Sequence, residues 1–397
     1  MRMGIFPKGL FKKSNPIWIH AVSVGEINAV KSLIRELRKE YSGKNLVIST
    51  VTETANTIAK LLIEDDDRAI FLPLDLSFIV KRVVRKIHPS LFIIAETEIW
   101  PNLIWRLERE KVPIILVNGR ISDQSFKGYR IVRFLLKGIL RKISLFCMQT
   151  ERDGKRILSL GVLKEKVFLT GNMKFDTIDY RDFEEDYRDY KQKLDLKSTE
   201  ELIVAGSTHP SEEEIILEVY EKLSVDFPNL KLLIAPRHPE RAENIAVLAI
   251  KHGFNPVRVS QLTNQPTGQK IIFILDTIGK LISFYAISTI VFVGGSLVKR
   301  GGHNILEPAF FRKPIIFGPY MFNFQDICDL FLSNKAAIKV DNKQELFEKI
   351  KNLLDNPSEK EELGERARDL ILENQGATEK NISLVRSLVT FKTKFCT

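Results

Sequence analysis

The sequence predicts an α/β protein made of two doubly wound parallel sheets, and three observations carry that prediction. The chain has 397 residues, which is more than one compact core normally holds. Short apolar segments alternate with segments of helical periodicity, as is typical of parallel sheets covered by helices. The alternation stops at the charged stretch Asp179–Glu201 and then starts again. We therefore place one domain at residues 1–190 and a second at 191–375, and expect a helix and tail at 376–397 to pack back on the first.

Apolar segments of strand length, each bounded by polar or turn residues, mark the strands. In the first domain they are Ile17–Val22, Leu46–Ser49, Ala69–Phe71, Leu91–Ala95, Ile114–Val117 and Leu145–Gln149. In the second they are Leu202–Ala205, Leu230–Ala235, Ile271–Leu275, Thr289–Val293 and Pro314–Phe317. Helices are predicted over Asn28–Tyr41 and over the tail Pro357–Thr390. We expect the two domains to face a cleft, with ligands bound by the loops that follow the strands.

The amino-acid composition indicates a globular protein and favours an anionic partner. Apolar residues make up 44% and charged residues 28% of the chain, values that are ordinary for a globular protein. The net charge of +10 favours an anionic partner such as nucleic acid, phosphorylated lipid or a membrane surface. The three scattered cysteines predict no disulfide framework, and no apolar run reaches the roughly 20 residues that span a bilayer.

The loop after the first predicted strand ends in Ser23-Val24-Gly25-Glu26 and leads into a helix. Gly25 permits a sharp turn, and the helix dipole favours an ionised Glu26. An ionised, positioned glutamate is able to take a proton from an attacking hydroxyl. The spacing alone favours the simpler interpretation, a first-turn glutamate that only complements the dipole.

Other charged residues of the first domain also follow predicted strands. Glu96 comes directly after Leu91–Ala95, where a binding role and plain solvation are equally well supported, whereas solvation is favoured for Glu98. Lys174 follows a further predicted strand and is placed to meet a phosphate or carboxylate. The run Asp65-Asp66-Asp67 contains the D-x-D of metal-dependent sugar transferases, but a solvated charge run at a helix end is favoured.

The second domain places small polar residues and a cation after its first two strands. Ser207 and Thr208 offer backbone and hydroxyl donors to a phosphate, since Ser211 and Glu214 have the spacing of a capping box and serve the helix. Pro236-Arg237 ends the next strand, and the planar guanidinium of Arg237 suits a phosphate or carboxylate.

Glycines are densest after the strand Thr289–Val293. Pairs at 294–295 and at Gly301-Gly302 allow backbone amides to approach an anion. Asn304 suits an N-cap, and Glu307 either completes a capping box or binds ribose hydroxyls. His303 lies beside them and is read as a site residue or a core histidine.

The segment Arg120–Lys142 carries seven basic residues interleaved with aromatic and aliphatic ones. This pattern predicts a basic amphipathic helix that lies on anionic lipid. Single-stranded nucleic acid and a solvated helix face are the alternatives.

At this point the residues resemble a known family, the 3-deoxy-D-manno-octulosonic acid (Kdo) transferases. The resemblance runs in the family's order from about residue 18 to the C-terminal helix. It rests on four strings: residues 18–26, residues 171–175, residues 236–238 and residues 292–308.

The resemblance implies a GT-B fold and a glycosyltransferase that moves Kdo from CMP-Kdo to the lipid A precursor lipid IVA in lipopolysaccharide assembly. It implies an inverting reaction without a metal or other cofactor, at the cytoplasmic face of the bacterial inner membrane, with no nucleic acid partner. By the resemblance Glu26 matches the general base, and Glu96 and Lys174 match acceptor-side residues. The donor set that it implies is Arg237, Asn304 and Glu307, with Ser207, Thr208, Pro236, Gly301, Gly302 and His303 as neighbours.

The chain departs from the family in one respect. Members usually begin with a hydrophobic anchor, whereas this sequence reaches its first strand without one. We therefore expect either a shortened start or attachment through Met1–Lys13 and the Arg120–Lys142 segment. Two other functions are kept as alternatives: a GT-B enzyme that uses a UDP-sugar, and a non-catalytic protein that binds anionic lipid. The sequence leaves open the number of sugars transferred, the acyl preference and the oligomeric state.

Overall fold

The computed structural model describes residues 2–7, 9–11, 15–64, 66–177, 184–197, 199–262 and 270–394. The chain divides into two compact units, one made of Met1–Thr177 and Asn374–Thr397 and the other of Ile178–Glu373. Parts of the segments predicted as a membrane-binding start (1–13) and as a linker (179–201), together with Asp65, lie outside the described residues. Within the predicted linker, Glu184–Lys193 form a helix.

The first unit is built on a parallel sheet. Its strands are β1 (Ile17–His20), β2 (Leu46–Thr50), β3 (Arg68–Phe71), β4 (Leu91–Ala95), β5 (Ile114–Gly119), β6 (Leu145–Met148) and β7 (Val167–Leu169). The helices between them are α1 (Val24–Ala29), α2 (Lys31–Glu40), α3 (Glu53–Leu62), α4 (Ser77–Ile87), α5 (Pro101–Arg109), α6 (Asp123–Ile131), α7 (Arg133–Leu140) and α8 (Glu151–Ser159). The strands lie in the order β3-β2-β1-β4-β5-β6-β7, and every neighbouring pair is parallel.

Strand order in this sheet reverses between β1 and β4, which lie side by side. Strands on either side of such a point lead into helices on opposite faces, so a crevice opens at their carboxyl ends. One face carries a core that includes Trp18 and Phe92, with ring centroids 4.9 Å apart. The other face carries a second core around Ile19 and Ile93. The two cores hold the loops after β1 and β4 in place.

The second unit repeats this plan. Its helices and strands are α9 (Glu184–Lys193), β8 (Glu201–Thr208), α10 (Glu212–Asp226), β9 (Leu230–Pro236), α11 (Ala242–Lys251), β10 (Asn255–Arg258), β11 (Ile271–Ile274), α12 (Leu281–Ile287), β12 (Ile290–Val293), α13 (Leu306–Phe310), β13 (Ile315–Phe317), α14 (Gln325–Ser333), β14 (Ile338–Lys339), α15 (Lys343–Asp355) and α16 (Pro357–Asn374). The strand order is β10-β11-β9-β8-β12-β13-β14, so the reversal falls between β8 and β12. The last helix, α17 (Ala377–Lys394), belongs to the first unit.

Two predicted helices are each divided in the structure. The basic segment 120–142 forms α6 and α7, which meet at Val132. The tail forms α16 and α17, because Gly376 adopts a left-handed φ of 94° that ends helical geometry. Among the described residues, no helix combines the length and the apolar character needed to cross a membrane.

The expectation that Asp65–Asp67 form a solvated charge run is wrong for Asp67. Its side chain is buried, accepts hydrogen bonds from the Leu46 and Glu64 amides and pairs with Arg38 at 2.6 Å. A carboxylate with these partners stabilises the start of β2. It is therefore a structural group.

The predicted capping box of Ser211 and Glu214 is also wrong. Ser211 has a left-handed φ of 76° and makes no side-chain cap, while Glu214 is exposed. The neighbouring Glu212 is fully buried and accepts the His209 amide at 2.9 Å, as well as the amides of Gly295, Ser296 and Leu297 at 2.7–2.9 Å. Glu212 therefore ties the loop after β12 to the start of α10.

Replacing Glu212 with glutamine should destabilise the second unit. Glutamine has one acceptor oxygen where glutamate has two, so buried amides lose partners at a cost of about 1–3 kcal/mol. We expect the calorimetric transition of this unit to fall by several degrees. The matched control is Glu214→Gln, which changes an exposed carboxylate on the same helix. Equal melting temperatures for the two variants would contradict this role of Glu212.

Candidate functional site

Glu26 lies in the first turn of α1, at the carboxyl end of β1. Ser23 is the N-cap, and its hydroxyl oxygen accepts the Glu26 amide at 3.4 Å. The Glu26 side chain turns back toward the loop. Its Oε2 accepts the Val22 amide at 2.7 Å, and its Oε1 accepts the Ser23 hydroxyl at 3.0 Å. These bonds fix the carboxylate, which is 8% exposed.

Burial raises the pKa of Glu26 from 4.5 to about 7. The Val22 amide opposes the shift, whereas the negative charges of Glu96 and Glu98 add to it. Near pH 7 both protonation states of Glu26 are populated, as suits a residue that takes up a proton. Burial thus outweighs the hydrogen bonds from Val22 and Ser23, which lower the pKa of Glu26.

Glu96 and Glu98 lie in the loop after β4, the neighbour of β1. Glu96 has a left-handed φ of 56°, and its amide donates to the Val117 carbonyl at 2.9 Å. Burial, followed by the charge of Glu96, raises the pKa of Glu98. The charge of Glu98 also raises the pKa of Glu26, so Glu98 forms one acidic group with Glu26 and Glu96. Glu98 is partly buried, so the prediction that it is solvated holds only in part. Its spacing two residues after Glu96 was the available signal.

Lys174 reaches this acidic group from the turn Met173–Asp176, which follows β7. Its Nζ lies 3.8 Å from Glu96 Oε1, and both side chains are about one-fifth exposed. Asn172 accepts the Lys174 amide at 3.0 Å, and Asn118 accepts the Met173 amide at 3.0 Å. The structure thus brings Glu26, Glu96 and Lys174 to one edge of one sheet.

The sequence pattern does not mark His20 as a site residue, yet its side chain is fully buried at the end of β1. Its Nδ1 is 3.1 Å from the Ser49 carbonyl oxygen, so the tautomer with a proton on Nδ1 fits this contact. Burial lowers the pKa of His20 to about 4, so the ring is neutral. Among the residues that the structure describes, its Nε2 has no hydrogen-bond partner, and the ring lies edge-on to Trp100 with the ring centroids 6.2 Å apart. A histidine at a strand end was the only sequence signal for it.

In the second unit, the loop after β8 contains Ser207 and Thr208. Ser207 has a left-handed φ of 56°, where the register with β9 shifts. The Thr208 hydroxyl is buried and donates to Glu213 at 3.0 Å, while its carbonyl accepts the Arg237 amide. Pro236 is the buried last residue of β9, and the Arg237 side chain is exposed beyond it.

His209 and His303 meet where the loops after β8 and β12 approach each other. Their rings are parallel within 6°, with centroids 5.3 Å apart and the Nε2 atoms 3.0 Å apart. One Nε2 must donate and the other accept, so the two nitrogens share a single proton. Burial is the largest cause that lowers the pKa of both rings to about 4. The charge of Arg300 adds to the shift of His209, and the charge of Arg237 adds to both. His209 was missed because only its contact with His303 marks it.

The glycine loop after β12 is organised differently from the expectation. The amides of Gly295, Ser296 and Leu297 already bind Glu212, so they are not offered to an anion. Gly301 and Gly302 have left-handed φ values of 96° and 70°. The φ of Gly302 favours glycine, and a Cβ there would lie 2.1 Å from the Met321 sulfur, so the Met321 side chain would have to move.

Asn304 and Glu307 lie at the start of α13. Asn304 accepts the Leu306 amide at 3.1 Å and donates to Glu307 Oε1 at 3.0 Å. The helical dihedrals begin one residue later than predicted, with Ile305 in the N-cap position. The hydrogen bond from the Asn304 side chain orients the Glu307 carboxylate.

The two sites differ in charge. The first unit gathers carboxylates around a buried glutamate whose pKa lies near neutrality. The second has Arg237 and Arg300 near neutral imidazoles, and the charge of the neighbouring Arg241 is paired with Glu213 at 2.6 Å. Among the described residues, no group of three His, Cys, Asp or Glu side chains could hold a metal ion.

Comparison with known proteins identifies the family. Residues 1–177 match the family model of 3-deoxy-D-manno-octulosonic-acid transferase (kdotransferase). The 3-deoxy-D-manno-octulosonic acid transferase of Haemophilus influenzae is 36% identical over 392 residues, which are 97% of this chain and 90% of the relative. A bifunctional glycosyltransferase/methyltransferase of Fusobacterium nucleatum is 40% identical over 357 residues, 89% of this chain. This chain spans only 54% of that longer relative.

Solved structures show the fold. A putative UDP-N-acetylglucosamine 2-epimerase from Listeria monocytogenes superposes with a TM-score of 0.61, at 12% identity, over 94% of this chain and 96% of that one. S. aureus MnaA with UDP gives 0.56 at 15% identity, over 95% and 97%. These likenesses show the GT-B fold. With the match over nearly its whole length to a curated relative, the chain belongs to the Kdo transferase family and is a glycosyltransferase.

Proposed function

We propose that this enzyme transfers Kdo from CMP-Kdo to the lipid A precursor lipid IVA, in the assembly of the lipopolysaccharide inner core. Family membership supports Kdo as the transferred sugar. The single observation that carries the mechanism is Glu26, a buried carboxylate whose pKa of about 7 fits a general base at physiological pH. Val22 and Ser23 hold it in one orientation.

The proposed reaction is a single displacement. Glu26 takes the proton of the acceptor hydroxyl as its oxygen bonds to the anomeric carbon of Kdo. The bond between that carbon and the phosphate oxygen breaks, and CMP leaves with the bonding electron pair. One displacement inverts the configuration at the anomeric carbon. Glu26 then returns its proton to solvent.

The acceptor side of the proposal rests on the charges around Glu26. Glu96 and Lys174 form an ion pair at 3.8 Å that offers both an acceptor and donors to a sugar phosphate. The Glu96 and Glu98 charges also keep the pKa of Glu26 high. Acceptor recognition and basicity are thus linked through the same carboxylates.

The donor side rests on the second unit. We assign Arg237 to the CMP phosphate, because its exposed guanidinium follows β9 and its charge reaches both His209 and His303. Ser207, Pro236, Gly301, Gly302 and His303 shape the surrounding loops, and Asn304 orients Glu307 for the ribose. Thr208 contributes through its carbonyl contact with Arg237, since its hydroxyl is bound to Glu213. Fixed cations stabilise the leaving phosphate, so we propose that no metal is needed.

We also propose attachment to the cytoplasmic face of the bacterial inner membrane through α6 and α7. Where the two helices meet, Ile131, Phe134 and Leu135 are 86%, 91% and 69% exposed. Arg130 and Arg133 flank these apolar side chains. Apolar groups that insert into lipid beside cations that meet anionic headgroups are the features of an interfacial helix. Nucleic acid is not proposed as a partner.

The function is tested by incubating lipid IVA and CMP-Kdo with the enzyme and reading the products by mass spectrometry. We expect one or more Kdo mass increments, unchanged by EDTA. Glu26→Gln should lower kcat by about 10²–10⁴-fold, because the base is removed. Glu53→Gln is the matched control, since Glu53 is an exposed glutamate in the first turn of α3.

Three outcomes of this assay would contradict the proposal. Full turnover of Glu26→Gln would reduce Glu26 to a dipole-complementing residue. Inhibition by UDP but not by CMP would favour a UDP-sugar enzyme. Lipid binding without any product would favour a non-catalytic lipid-binding protein.

Membrane attachment is tested by sedimentation with phosphatidylglycerol vesicles. The double variant Phe134→Asp, Leu135→Asp should lose most binding, because it removes inserted apolar area and adds charge that anionic lipid repels. Ile250→Asp, at a side chain 62% exposed on α11, is the control. Undiminished sedimentation of the double variant would assign attachment to another surface.

A further inference from the structure

The C-terminal helix is capped by a residue two hundred positions earlier in the chain. Asp176 Oδ1 accepts the Gly376 amide at 2.8 Å, and Asp176 Oδ2 accepts the Thr378 amide at 2.6 Å. These amides are at the start of α17, where helix N–H groups have no partner within the helix. A carboxylate there binds both the amides and the positive end of the helix dipole.

Asp176 ends the same short turn that carries Lys174. The turn is held at its beginning by Asn118, which accepts the Met173 amide. It is held at its end by Ser32, whose hydroxyl donates to the Asp176 carbonyl at 2.7 Å, and by Gln375, which donates to the Phe175 carbonyl at 3.3 Å. The backbone at Lys174 is therefore held together with that of Asp176.

The cap connects the two segments of the chain that make up the first unit. The first unit runs to Thr177, one residue after Asp176, and resumes at Asn374, two residues before Gly376. The Asp176 carboxylate thus joins the point where the chain leaves the first unit to the point where it returns. Losing the cap would remove the two side-chain hydrogen bonds that tie this turn to the start of α17.

We propose that Asp176 is a positioning residue for Kdo transfer: by capping α17 it holds Lys174 against Glu96 in the acceptor site. This inference rests on the proposed acceptor-side role of Lys174. The simpler alternative is that Asp176 only stabilises the fold. If Asp176 positions Lys174, the effect of removing Asp176 depends on Lys174. If Asp176 only stabilises the fold, it does not.

A double-mutant cycle makes that distinction. kcat/KM for the lipid acceptor is measured for the wild type, Asp176→Ala, Lys174→Ala and the double variant. We expect Asp176→Ala to lower it about tenfold or more, with KM for CMP-Kdo unchanged, because only the acceptor site is disturbed. In the Lys174→Ala background the same change should have almost no further effect. Asp176→Asn, which keeps one acceptor oxygen, should fall between wild type and Asp176→Ala.

The control is Asn342→Ala, which removes the N-cap of α15 in the second unit, where Asn342 accepts the Glu345 amide at 3.0 Å. Its kcat/KM should match the wild type. Hydrogen exchange should show faster exchange of the Gly376 and Thr378 amides in Asp176→Ala and not in Asn342→Ala, which verifies that the cap is lost.

Two results would overturn the inference in different ways. An equal loss on Asp176→Ala in both backgrounds would make Asp176 a purely structural cap while leaving the role of Lys174 intact. Full activity of Lys174→Ala would remove the proposed acceptor role itself. If Asp176→Ala does not fold, the same cycle with Asp176→Asn gives the answer.

Discussion

Reversal of strand order in a parallel sheet is the constraint on which both candidate sites depend. Where β1 lies beside β4, and β8 beside β12, the chain leaves adjacent strands toward opposite faces. Loops at those points cannot cover each other, so they leave a crevice lined by the residues that directly follow the strands. Glu26 and Glu96 follow the first pair of strands, and His209 and His303 lie in the loops after the second. The strand order therefore determines where each site lies, and the side chains then determine its chemistry.

Carboxylates that bind backbone amides then fix the loops. Glu26 accepts the Val22 amide, Glu212 gathers four amides from two loops, and Asp176 accepts two amides from a helix far along the chain. Charge-assisted bonds of this kind are short and directional, which suits loops that must hold a fixed shape. Burial raises the pKa of Glu212 as well, and for Glu26 the like charges of Glu96 and Glu98 add to the effect of burial. The hydrogen bond from the Val22 amide lowers the pKa of Glu26, but burial and the charge of Glu96 raise it, and the pKa reaches about 7.

The sequence predicts what depends on local pattern. Alternating apolar segments indicate the parallel sheets, and the position of Glu26 after Ser23 indicates a helix start. What it did not predict depends on contacts between distant segments. The prediction that Asp67 is solvated fails because its partner Arg38 is 29 residues away in the chain. The His209–His303 pair joins residues 94 apart, and Glu212 holds a loop more than eighty residues further on. Ser211 and Glu214 have the spacing of a capping box, but Ser211 has a left-handed φ and caps nothing. Glu212 accepts the loop amides instead.

The account as a whole depends on the ionisation of one side chain. If Glu26 is to take a proton near neutral pH, its carboxyl must titrate well above an exposed glutamate. Carbon-13 NMR of enzyme labelled at the glutamate side-chain carboxyls measures this directly, with Glu26→Gln used to assign the signal. The account predicts a carboxyl resonance that titrates at about pH 7 and is missing from the variant. A Glu26 resonance that titrates near the ordinary value of 4.5 would contradict it.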